Sequence, residues 1–220
     1  MRELDFSVVF ENLPFILQGA VLTVQISAVA VFVGFLIGSV VGLVKLSSIR
    51  PLRFLATAYI EIIRGTPLLV QIVLIYFGLA SLNIVSLDRF TAGVIALSIN
   101  SGAYVGEIVR AGIQSIDKGQ MEAARSLGMN YVRSMRFIIL PQAFRRIIPP
   151  LVNEFIMLIK DSSLLFAIGF AELMQRGNAI RARTYKDFEV FIGIAAVYFI
   201  MTFILSRVAS YVERRTRIRD

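Results

Sequence analysis

Apolar residues run almost unbroken from Phe15 to Val44, interrupted by small or amide side chains such as Thr23, Gln25 and Ser27. A helix needs roughly 20 such residues to cross a bilayer core, so the run predicts a membrane span over about 15–44. Further apolar stretches at about 55–80, 90–113, 147–170 and 190–210 predict four more spans. Ahead of the first, Phe6, Val9, Phe10 and Leu13 recur at helical spacing and Pro14 closes the run, which predicts a short interfacial helix. The expected fold is an all-α polytopic membrane protein of five transmembrane helices, a single domain over 1–220.

One polar island, Asp117 to Pro141, separates spans 3 and 4. Asp117 followed by Gln120 predicts an N-cap with a return contact, and Met121 to Leu127 are strong helix formers. Gly128 supplies a left-handed helix end, Asn130 a second N-cap, and Pro141 is expected to stop the second helix. The expected unit is helix, sharp turn, helix.

Polar residues within the spans need partners or a cavity, because an unsatisfied polar group in hydrocarbon costs several kcal/mol. Glu61 and Arg64 stand three apart, a spacing at which they could pair, and Pro67 is expected to kink span 2. Span 3 carries Ser98, Asn100, Ser101, Tyr104 and Glu107. Span 4 opens with Pro149-Pro150 and carries Asn153, Glu154, Lys160, Asp161, Ser162 and Ser163. Gly34, Gly38 and Gly42 share one face of span 1 and suit close helix packing, inside the subunit or against a second one. The hydrophilic stretch 171–188 is long enough for a small surface helix.

Composition narrows the chemistry. The 220 residues are 57% apolar and 17% charged, with mean hydropathy +0.75, too apolar for a typical soluble domain. There is no cysteine and no histidine, which removes thiolate and imidazole chemistry and the usual zinc ligands. No catalytic residue, no metal site and no bound cofactor are expected. No Gly-x-x-x-x-Gly-Lys-Ser/Thr run is present, so ATP hydrolysis has to come from another chain. The net charge of +8 reflects basic loops rather than nucleic acid, since Lys and Arg collect on the cytoplasmic side of membrane proteins. On alternating sides of the five spans, fifteen basic residues face six, which predicts an outside N-terminus, a cytoplasmic C-terminus and a cytoplasmic 117–141 loop. The first eleven residues carry Glu3, Asp5 and Glu11 and lack the pattern of a cleavable signal, so span 1 is expected to serve for targeting.

The island reads Glu122-Ala123-Ala124, three residues, Gly128, nine residues, Ile138-Ile139-Leu140-Pro141. This resembles the signature loop of the membrane-spanning permease subunits of bacterial binding-protein-dependent ABC importers. Arg64 to Gln71 resembles the matching segment of the polar-amino-acid branch. So do Leu17-Gln18-Gly19 with Thr23 and Gln25, and Asn153-Glu154 through Lys160-Asp161-Ser162-Ser163-Leu164. The resemblance implies a multi-pass subunit of the bacterial inner membrane, in contact with membrane lipid and not itself an enzyme. Its implied partners are two copies of an ABC ATPase subunit carrying ATP and magnesium, a second transmembrane subunit (a homodimer or a close paralogue) and an extracytoplasmic solute-binding protein. The loop's first helix, with Glu122, Ala123, Ala124 and Gly128, would couple the ATPase to transport.

The expected substrate is a polar amino acid. Glu154 and Asp161 lie seven residues apart, within about 20° of one helix face and about 10.5 Å along its axis. Two carboxylates on one stripe suit a substrate with an α-ammonium and a side-chain cation, arginine, lysine or histidine, with Asn100, Ser98 and Thr66 adding polar contacts. Neutralisation of each carboxylate by a neighbouring span is the structural reading of the same residues. Intramembrane Glu61, Glu107, Glu154 and Asp161 also suit an ion-coupled secondary carrier or channel that needs no ATPase.

Overall fold

A computed structural model describes residues 4–216, and among them all regular structure is helical. Helix α1 is Ser7–Glu11 and α2 is Leu13–Lys45; α3 (Arg50–Gly65) is followed by α4 (Leu68–Val73), which passes through a π turn (Leu74–Gly78) into α5 (Leu79–Ser81). Then come α6 (Arg89–Gln114), α7 (Lys118–Ser126) and α8 (Tyr131–Ser134). A second π turn (Met135–Ile139) leads into α9 (Leu140–Asp161), which tightens to a 3-10 turn (Ser162–Ile168). Helices α10 (Leu173–Thr184) and α11 (Asp187–Thr216) complete the described chain.

The central contact is α2 against α6. Gly34, Gly38 and Gly42 are buried there, and a methyl group on Gly38 would stand 2.6 Å from Val105 Cβ and 2.7 Å from the Gly102 carbonyl. Gly102 and Gly106 of α6 in turn receive Ile37 and Val41. Two glycine rows thus let the backbones meet, so the stripe is consumed inside the subunit. Ile26 and Ala30 of α2, Ile72 of α4, Leu97 of α6, Leu158 of α9 and Leu165 form one buried cluster, and Val105, Val109, Ala143 and Ile147 another.

Among the described residues three helices are long and apolar enough to cross a membrane: Leu13–Lys45, Arg89–Gln114 and Asp187–Tyr211. The pair Arg50–Gly65 and Leu68–Ser81 passes the same test together but is bent by 103°. The expected kink in span 2 is therefore a break. Thr66 (φ −118°, ψ 145°) and Pro67 (φ −63°, ψ 134°) are both extended, as a proline and the residue before it favour. Helix α9 is not among the apolar three; it carries Arg145, Arg146, Glu154, Lys160 and Asp161.

Other expectations are corrected. Pro141 does not stop the second helix, because it lies in the first turn of α9, where no amide donor is needed. Pro149 and Pro150 sit inside α9 rather than opening it. Segment 171–188 is not a free surface helix: Leu173, Gly177 and Ile180 of α10 are buried against Ile16 of α2 and Ile194 of α11. In α1 the inward residues are Val8 and Val9, the latter against Gly193, whereas Phe10 is 73% exposed. Arg2, Arg217 and Arg219, which entered the charge count, lie outside the described residues.

Candidate functional site

The break between α3 and α4 exposes the last carbonyls of α3, and one side chain gathers them. Gln71 Nε2 donates to the Ile63 carbonyl at 2.8 Å, to the Thr66 carbonyl at 3.2 Å and to Thr66 Oγ1 at 2.9 Å. Thr66 Oγ1 donates to the Ile62 carbonyl at 2.9 Å. From α6, Asn100 Nδ2 donates to Gln71 Oε1 at 3.1 Å. Nearby, the Tyr59 hydroxyl of α3 donates to the Ile99 carbonyl at 2.6 Å. These bonds hold the broken element against α6. Of the sequence-derived substrate residues, Asn100 and Thr66 thus belong to this brace.

Arg64 does not pair with Glu61. Its guanidinium lies over the Tyr104 ring, 5.0 Å from the centroid. Glu154, on α9, is partly buried. Asp161 closes α9 two helical turns further along the same stripe, also partly buried. Among the described residues neither carboxylate forms an ion pair. Ser98 is 2% exposed and its hydroxyl has no hydrogen-bond partner among the described residues.

Glu107 behaves differently from the other span carboxylates. It pairs with Lys45 of α2 at 3.0 Å and with Arg110 one turn on. Its charge is neutralised by its own chain, in a clasp that ties the ends of α2 and α6 together.

Glu172 was legible only as one acid in a hydrophilic stretch, yet it is fully buried. It caps α10 by accepting from Met174 N at 2.9 Å and Gln175 N at 2.8 Å. The Tyr198 hydroxyl of α11 donates to it at 2.8 Å and Thr23 Oγ1 of α2 at 3.4 Å, while Thr23 Oγ1 accepts from Leu173 N at 3.2 Å. Burial pushes the Glu172 carboxyl above the usual carboxylate range despite these donors. The only sequence signal was Thr23, a polar residue in an oily span.

The polar island folds as helix, turn, helix. Asp117 accepts from Gly119 N at 2.8 Å and caps α7, and Asn130 accepts from Arg133 N at 2.9 Å and caps α8. Gly128 is left-handed (φ 83°); its N–H donates to the Arg125 carbonyl, and Met129 N donates to the Ala124 carbonyl at 3.1 Å, the paired bonds of a Schellman end. Gln120 does not return to Asp117; its Oε1 receives Gln142 Nε2 at 3.4 Å. Arg146 Nη1 donates to the Ser115 carbonyl at 2.5 Å. Of the four coupling residues, Glu122, Ala123 and Gly128 are exposed, and Ala124 is buried against the rest of the chain. Leu127, 84% exposed, leads a projecting apolar tip. Among the described residues no group of three or more His, Cys, Asp or Glu could hold a metal ion.

Residues 30–218 match the family described as binding-protein-dependent transport system inner membrane component, and the chain belongs to that family. It is 43% identical over 217 residues to the arginine transport system permease protein ArtQ of Bacillus subtilis, covering 99% of each chain. It is 39% identical over 217 residues to the glutamine transport system permease protein GlnP of Escherichia coli, covering 98% of this chain and 99% of that one. Among solved structures, a chain of an amino acid ABC transporter with histidines superposes with TM-score 0.93 at 48% identity, covering 97% of this chain and 100% of that one. The inward-facing MetNI methionine ABC transporter shares the fold, with TM-score 0.80 at 20% identity over 94% of this chain and 99% of that one. The chain is a multi-pass inner-membrane permease subunit of a binding-protein-dependent transport system and not itself an enzyme. The ion-coupled carrier reading is set aside by this membership.

Proposed function

We propose that this permease carries cationic polar amino acids, arginine, lysine or histidine, through a pathway that includes Glu154 and Asp161. The observation that carries this reading is that two half-buried carboxylates on one stripe of α9 lack an ion pair among the described residues, whereas Glu107 has two. A buried carboxylate is costly without a cation, and a substrate with two positive groups supplies one to each. Ser98 offers a hydroxyl on α6, and Asn100 and Thr66 act through the brace that positions α4. The arginine and glutamine relatives support a polar amino acid as substrate.

The energy enters through α7, whose Glu122 and Ala123 are exposed while Ala124 is buried, the helix resting on the second π turn and α8. Two ATPase subunits with ATP and magnesium, a second membrane subunit (an identical copy or a close paralogue) and an extracytoplasmic solute-binding protein complete the transporter. The chain crosses five times, α9 included, with its N-terminus outside and α7 in the cytoplasm.

The deciding experiment is uptake by the reconstituted complex with Glu154→Gln and Asp161→Asn. Each variant is expected to lower arginine and lysine uptake by about tenfold or more, from loss of a charge-assisted bond of about 1.5–3 kcal/mol. Unchanged uptake of both amino acids in both variants removes these residues from the pathway.

A further inference from the structure

Helix α2 presents a second row beside its glycines. Val31, Phe35, Ser39 and Leu43 follow one another at intervals of four, and Ser47 continues the row just past the helix end. Because Gly34, Gly38 and Gly42 are used up on α6, this neighbouring row turns toward α9. Three hollows lie along it. The one at the helix end, about 470 Å³, is lined by Leu43, Leu46, Ser47, Val132, Arg136 and Leu140, among others. The next, about 110 Å³, shares Leu43 and Leu140 with it and reaches Phe35 and Phe144. The third, about 350 Å³, shares Phe35 and continues between Val31 and Phe155.

Together they form a furrow whose polarity is graded. Its deep part is apolar apart from the Ser39 hydroxyl. Its mouth, where a span 33 residues long ends, has the Arg136 guanidinium and the Ser47 hydroxyl. Arg136 is exposed, lies 5.5 Å from the Phe137 ring centroid, and forms no ion pair among the described residues. Ser47 Oγ accepts from Ile49 N at 3.1 Å and keeps its own proton to donate. Arg50 and Arg53, both exposed, follow directly on α3. From Ser47 to Val31 the row runs about 24 Å along the helix axis, more than half of a hydrocarbon core about 30 Å thick.

The geometry points to a site for one anionic phospholipid of the leaflet on the α7 side, its phosphate at Arg136 and Ser47 and one acyl chain laid between α2 and α9. A cation and a hydroxyl at headgroup level match a phosphodiester, and an apolar furrow of leaflet depth matches the chain. This site is separate from the carboxylates of α9 and does not depend on which amino acid is carried.

The test uses the intact transporter in vesicles of equal phosphatidylglycerol and phosphatidylcholine, each in turn bearing a photoreactive group on an acyl chain. In the wild type, adducts on peptides containing Phe35, Phe144 and Phe155 should favour phosphatidylglycerol by about fivefold, the worth of one interfacial cation. Arg136→Gln should bring that ratio near one, whereas Arg207→Gln, at the end of α11, should leave it unchanged. Ser39→Phe, which fills the narrow middle, should lower adducts of both lipids severalfold. Equal labelling by both lipids in the wild type overturns the proposal, as does an equal loss of preference in Arg136→Gln and Arg207→Gln. So does efficient crosslinking of two permease copies through a single cysteine at Phe155, which would show that a second subunit covers the furrow.

Discussion

Asn100 of α6 holds Gln71 of α4 at 3.1 Å, and Gln71 in turn holds the broken end of α3. The bend of 103° between α3 and α4 is thus clamped from outside by one amide on an intact helix. Gln71→Leu leaves the Ile63 carbonyl unpaired in a partly buried setting and should destabilise the protein by about 1 kcal/mol. Asn100→Ala should cost less, because Gln71 keeps its bonds to α3. Thermal unfolding in detergent checks the order, and both variants should transport more slowly than the wild type at temperatures where they remain folded.

The α2–α6 weld is unforgiving at Gly38 and indifferent at Gly65. A Cβ at Gly38 meets Val105 and the Gly102 backbone below 3 Å, whereas at Gly65 nothing lies within 4 Å. Gly38→Ala should therefore lower stability by about 1–3 kcal/mol through overpacking. Gly65→Ala should be neutral or slightly stabilising, and melting curves of the two variants side by side decide it.

At the projecting loop, Gly128→Val forces a β-branched residue into a left-handed conformation (φ 83°), which L side chains resist. The turn between α7 and α8 should open while the spans remain folded. Glu122→Lys reverses an exposed charge without touching the core. Both variants should insert normally, bind the ATPase more weakly and lose transport coupled to ATP hydrolysis. Pull-down of the ATPase alongside uptake measures this, and wild-type values for both variants would exclude the loop as the coupling element.

Glu172 ties α2, α10 and α11 together through a carboxyl whose folded-state pKa is raised by burial. Protonation is favoured in the folded state, so this group's contribution is fully present below the unfolded carboxylate range and declines as pH rises through the folded value. Glu172→Gln mimics the protonated form and should flatten the dependence of stability on pH in this window. Glu172→Ala leaves the half-buried Tyr198 hydroxyl and two α10 amides without their acceptor and should cost about 2–4 kcal/mol. Unfolding monitored from pH 5 to 8 separates the two outcomes.

The sequence by itself determined the long apolar helices α2, α6 and α11 and the caps and turn inside the polar island. Apolar runs longer than a bilayer core, and local signals such as Asp117, Gly128 and Asn130, act within a few residues and need no distant partner. Only the tertiary structure decided what the polar residues inside the spans do. Pro67 announced a disturbance of span 2, but its size followed from Thr66 turning extended and Gln71 receiving the freed carbonyls, with Asn100 supporting it from another helix. Pro141 announced a stop, but a π turn absorbed it and the helix ran on. Glu107 and Glu154 look alike in sequence, and they part company because Lys45 reaches one and no cation of this chain pairs with the other among the described residues. Glu172 sits in a stretch that composition places on the surface, and Thr23 and Tyr198, 149 and 26 residues away, draw it inside. Whether a charge in a membrane protein is a brace, a clasp or a binding group is set by what stands opposite it, and that is a property of packing between segments remote along the chain.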